Sequence, residues 1–247
     1  MTRHLLTALL FLAAFPAMAE DTTLDEANAQ ALLADALRFA GEQRYPESIA
    51  AFEKVKAQRP EAIVSIQGLK MAVVYAQVGD VEKFDAHSRW LIARYKDAEL
   101  ATDAERSVKG YLLFAGPHDP ALLAEALVRT RYAVEAAAKA GEAELLPWFY
   151  LSHGMAEYRM KNYAEAATWL AKVADDETLY IGSLAQAFHA MAVHGQGQHA
   201  EALALLEKAR ATATTLPAPG TEEYKEEWPD TLSTQLAMGE AEALIAK

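Results

Sequence analysis

His189, His194 and His199 recur at five-residue steps and are followed by Glu201. Imidazole and carboxylate are side chains that ligate transition metals. On one helix, however, a five-residue step turns the chain by about 140°, so the three imidazoles do not share a face as an i, i+4 pair would. They converge only if the GQGQ turn at 195–198 folds His199 back, and no metal is assigned. His153 and His189 each precede a small residue, Gly154 and Ala190. That placement suits packing, with a hydrogen bond across a helix hairpin, better than catalysis. The chain has no G-x-S-x-G elbow, S-x-x-K, H-E-x-x-H or glycine-rich phosphate loop. It has no cysteine, which excludes disulfides, thiolate metal sites and a cysteine nucleophile. The expectation is a protein that is not an enzyme and has no cofactor.

The elements that carry these residues are helical. Hydrophobic residues make up 52% of the 247, and alanine, the best helix former, supplies much of that share. Runs of β-branched residues at period 2 are missing, whereas apolar residues at helical spacing recur almost throughout. Turn signals break the pattern regularly: Gly41, QRP ending at Pro60, VGD at 78–80, AGPHDP at 115–120, KN at 161–162 and GQGQ at 195–198. Short turns between such segments predict antiparallel helix pairs. Asp119 is expected to cap a helix that has Pro120 at its first position.

The opening MTRHLLTALLFLAAFPAMA reads as a secretory signal peptide over 1–19. Arg3 is its positive end, Leu5–Phe15 its apolar core, and Ala17-Met18-Ala19 its cleavage site. The mature chain is then expected to begin at Glu20, in the periplasm, with no stable membrane insertion. Losing Arg3 takes the formal charge from −12 to −13. Such a charge repels nucleic acid and anionic lipid.

Four stretches align: 44–60, 79–95, 161–177 and 197–213. In each, a turn leads to Tyr45, Val81, Tyr163 or His199, and three residues on stands Ser48, Phe84, Ala166 or Ala202. Nine residues before the first of these positions stands Ala36, Ala72, Gly154 or Ala190. Tyr45 and Val81 are 36 residues apart, as are Tyr163 and His199. This pattern resembles the tetratricopeptide repeat, a helix pair of about 34 residues. The resemblance implies an all-α, right-handed superhelical stack of helix hairpins over 20–215. Its clearest units are 29–95 and 147–213, with a diverged hairpin at 97–141. It also implies close helix crossings at Ala36–Ser48, Gly154–Ala166 and Ala190–Ala202. The Pro-rich, acidic segment 216–230 reads as an extended connection, and 231–247 as a C-terminal capping helix.

In that family the first helix of each repeat lines a concave groove. The resemblance therefore places Trp148, Leu151, Met155 and Tyr158 on the groove wall, with Arg159 beside them and Met191 in the last unit. Aromatics and arginine dominate binding energy, and methionine adapts to varied surfaces. An apolar wall of this kind needs a cover, either a partner or the chain's own 231–246 helix. The function implied is a non-catalytic scaffold that binds a protein or peptide of the cell envelope. The alternatives are a helical-repeat enzyme or accessory factor acting on cell-wall or polysaccharide substrates, and a small-ligand or metal carrier.

Overall fold

A computed structural model describes residues 24–246 of the chain. The segment 1–19, read as an export signal, lies outside them. The described residues form eleven α-helices and no strand: α1 (Glu26–Gly41), α2 (Tyr45–Gln58), α3 (Ser65–Val78), α4 (Val81–Arg94), α5 (Ala101–Leu113), α6 (Pro120–Ala140), α7 (Leu146–Arg159), α8 (Tyr163–Ala171), α9 (Leu179–Gly195), α10 (His199–Ala213) and α11 (Glu222–Ile245). Successive pairs from α1–α2 to α9–α10 are hairpins. The first helices α1, α3, α5, α7 and α9 pack each on the next, forming one layer, with the second helices outside it.

Caps explain several boundaries. Asp25, Asp80 and Asp119 accept backbone N–H bonds at the starts of α1, α4 and α6, and Pro120 occupies the first turn of α6. Gly79 and Gly141 close α3 and α6 in the left-handed conformation.

Four hairpins share a left-handed residue at the same place in the turn. Left-handed residues Gln43 (φ 60°), Gly79 (φ 73°), Lys161 (φ 64°) and Gly197 (φ 80°) each stand two residues before the second helix of their hairpin. One turn geometry therefore serves four hairpins, and in two of them a side chain bears its strain. A left-handed L-residue costs roughly 1–2 kcal/mol, partly offset on changing to glycine by the greater freedom of the unfolded chain. Gln43→Gly and Lys161→Gly are each expected to stabilise by about 0.5–1 kcal/mol. Urea denaturation measures this, and a lower midpoint in both variants would contradict the shared turn.

Ala36, Ser48, Ala166, Ala190 and Ala202 are all buried. The expected Gly154–Ala166 crossing is displaced by one turn. A Cβ on Gly154 would lie 2.6 Å from Leu170 Cγ and 3.3 Å from the Leu170 backbone nitrogen. In the second unit Phe84 fills the small-residue position and packs on Phe114, with ring centroids 4.6 Å apart. There α3 meets α4 through Gly68 against Leu91, while Ala72 turns instead to Gly110 of α5.

The tail differs from its reading. Residues 222–230 are not an extended connection but the first turns of α11, capped by the Thr221 hydroxyl, which accepts from Tyr224 N at 3.1 Å. Pro229 lies inside the helix. α11 packs on α9 and α10 and reaches back to α1, α3 and α5, so it ties the last hairpin to the first.

Candidate functional site

The proposed groove wall is largely interior. Leu151, Met155, Tyr158 and Met191 are buried and belong to one core with Trp228, Leu232, Ala237 and Met238 of α11. As exposed anchors they are therefore corrected: the chain itself covers them. Arg159 is also committed internally. Its guanidinium grips Glu240 of α11 through two bonds, of 2.5 and 2.7 Å, and its Nε donates to Leu112 O at 2.8 Å. Tyr158 adds a longer hydroxyl bond to Glu240, 3.4 Å.

Of the six expected site residues, Trp148 lines an open cleft. This cleft, of about 210 Å³, lies beside α11 among Ile66 and Leu69 of α3, Thr102 and Arg106 of α5, Trp148 of α7 and Asp230 of α11. Its polar lining includes an ion pair, Lys109–Glu105 at 3.4 Å, whose side chains are 8% and 5% exposed. The Lys109 ammonium sits 4.5 Å from the centre of the Trp148 ring. The Ser152 hydroxyl lies between the Glu105 carboxylate and the Trp148 carbonyl. Burial pushes the Asp230 carboxyl up, opposed by Lys109 and Lys70 and reinforced by Glu105. The slot combines apolar residues, Ile66, Leu69 and Trp148, with charged ones, Glu105, Arg106, Lys109 and Asp230. Its volume suits one inserted side chain, apolar or with an acceptor for Lys109.

The chain matches no protein-family model, no curated protein and no solved structure. Among the described residues no helix is long and apolar enough to cross a membrane.

Sequence reasoning misses Glu105, Lys109 and Asp230. Glu105 and Lys109 form an i, i+4 acid–base pair, the pattern of a solvated helix face, and only tertiary packing buries it. Asp230 is hidden in the segment that reads as extended.

The histidines separate by role. The turn does fold His199 back, with its Nδ1 3.4 Å from that of His194. No third ligand joins them, since the described residues hold no group of three or more His, Cys, Asp or Glu placed for a metal. His153 bonds Thr130 of the preceding hairpin, not a residue of its own hairpin. His87 is fully buried, with Nε2 2.9 Å from Gly68 O, and burial pushes it down to about 3. It stays neutral among Phe52, Tyr75 and Trp90, as a packing residue.

Proposed function

We propose that the chain is an exported, non-catalytic scaffold of tetratricopeptide-like build that holds a segment of an envelope protein. The four hairpins with one turn geometry support the repeat reading. The signal-like residues 1–19 support export. Binding is assigned to the cleft beside α11 and not to the whole groove, because α11 already covers the rest. One observation carries this: Trp148 lines an open apolar slot with the Lys109 ammonium against its ring. A partially desolvated aromatic over a buried charge is the kind of feature on which binding energy concentrates. The partner inserts one apolar side chain and runs its backbone past Thr102 and Arg106.

Photo-crosslinking tests the reading. A benzophenone amino acid at Thr102, in cells expressing the full chain, is expected to capture a distinct envelope protein. Trp148→Ala is expected to reduce the adduct by about tenfold or more. The recovered chain should have the intact mass of a protein starting at Glu20. Adducts confined to α11 of the same chain, or a yield unchanged by Trp148→Ala, would refute binding at this cleft. Recovery from the cytosol with residues 1–19 attached would refute export.

A further inference from the structure

A second cleft, of about 460 Å³, opens between α6 and α8 with α7 as its floor. It shares no residue with the cleft beside α11. His153 and Glu157 of α7 face it, with side chains only 3% and 6% exposed. Glu135 of α6, Glu165 of α8 and the Trp169 ring complete its polar and aromatic lining, with Arg131 at the edge.

Hydrogen-bond accounting shows what is missing. Thr130 Oγ1 lies 2.9 Å from Ala126 O, 3.1 Å from Leu127 O and 3.0 Å from His153 Nδ1. A hydroxyl has one hydrogen, and a carbonyl can only accept. With that hydrogen on a carbonyl, as in a threonine bonded back to its own helix, His153 donates from Nδ1. In that arrangement Nε2 is the lone-pair nitrogen. Its neighbour is Glu157 Oε1 at 3.6 Å, another acceptor. Glu157 Oε2 accepts from Asn162 Nδ2 at 2.7 Å, but Oε1 has the Arg131 guanidinium no nearer than 3.8 Å. In that tautomer two acceptors, on side chains that are otherwise nearly buried, stand side by side on one cleft with no protein donor between them. Both open onto the cleft, where a ligand's donors can reach them. Burial, with Arg131 and Lys172 nearby, pushes His153 down to about 4, which keeps the imidazole neutral at pH 7.

The group that satisfies both acceptors carries several N–H donors and positive charge. Three carboxylates, Glu135, Glu157 and Glu165, face the cleft against the Arg131 guanidinium, with the Lys172 ammonium against the Trp169 ring. The volume exceeds what an ammonium alone fills, and Leu127, Val134 and Trp169 offer apolar wall to an alkyl chain. We propose that the α6–α8 cleft binds a primary ammonium on a short aliphatic chain, its nitrogen bridging His153 Nε2 and Glu157 Oε1. A free diamine and a lysine side chain share this chemistry.

Calorimetric titration of the full chain with 1,5-diaminopentane and, separately, Nα-acetyl-lysine amide distinguishes the two sources. Binding of either is expected, and the tighter one names the source. Glu157→Gln is expected to weaken it by about tenfold or more, because its amide N–H₂ turns toward Nε2 and the charge is lost. Arg131→Ala is expected to tighten it by removing a competing cation. In the wild-type chain the imidazole nitrogen spectrum of His153 should show protonated Nδ1, with the Nε2 resonance moving on amine addition. This readout does not depend on a variant folding. Equal binding of tetramethylammonium, which has no N–H, would overturn the bridging geometry. Absence of binding by both amines, or a His153 spectrum with protonated Nε2, would overturn the site.

Discussion

Arg159→Met is expected to destabilise the chain by about 3–5 kcal/mol, the cost of breaking a buried ion pair from one side. The Arg159 and Glu240 side chains are 6% and 9% exposed. Removing the guanidinium leaves the Glu240 carboxylate buried without its counter-charge. It also strands the Leu112 and Leu113 carbonyls at the end of α5, which Arg159 reaches at 2.8 and 3.4 Å. Helix C-termini have no intrahelical donors for those groups. Arg159→Lys should recover little, since one ammonium cannot supply a two-pronged carboxylate contact and a backbone bond together. The double variant Arg159→Met/Glu240→Leu should recover much of the loss, because an apolar pair of similar size replaces a buried ion pair at little cost. Urea denaturation of the four proteins checks this. A double variant no more stable than Arg159→Met would show that the charge pairing is not what holds α11 here.

This pair marks how far the sequence can be read. The hairpin turns are legible because turns are local: Tyr45, Val81, Tyr163 and His199 each follow a left-handed residue by two positions, so their 36-residue spacings are spacings of similar turns. Asp119 and Pro120 announce the start of α6 for the same reason. Arg159 stands out as an anchor residue, but sequence gives no sign of whose surface an anchor meets, and it meets the chain's own α11. Repeat position pairs Gly154 with Ala166, yet Gly154 meets Leu170. Helical side chains lean toward the N-terminus, so Leu170 covers the turn before it and fills the space above Ala166. The candidate ammonium site is the least legible feature. It needs Thr130, His153, Glu157 and Asn162 from two helices and a turn, and no spacing encodes their meeting.

Two glycine-to-alanine changes should act in opposite directions, and the difference tests how α11 is seated on the first hairpin. Gly239, within α11, has open space where a Cβ would stand, with nothing within 4 Å, so Gly239→Ala should gain the helix preference of alanine, about 0.5–1 kcal/mol. Gly41, the last residue of α1, faces the opposite case. A Cβ there would fall 2.9 Å from Lys225 O and 3.0 Å from Trp228 Cδ1. Lys225 O is the carbonyl that Pro229, lacking an N–H, cannot bond in the usual i to i−4 manner. The proline that disguises this helix in the sequence thus leaves a carbonyl free where the first hairpin closely approaches it. A flexible side chain could swing away from the new methyl, but a backbone oxygen moves only with its helix. Gly41→Ala should therefore destabilise by about 1–3 kcal/mol, outweighing its own propensity gain. Hydrogen exchange should quicken in 222–230 and at the end of α1, while α9 and α10 remain protected. If Gly41→Ala instead stabilises as Gly239→Ala does, the start of α11 is not seated on α1. The tie from the last hairpin to the first would then be lost, and α11 would be held by α9, α10, α3, α5 and the Arg159–Glu240 contact with α7.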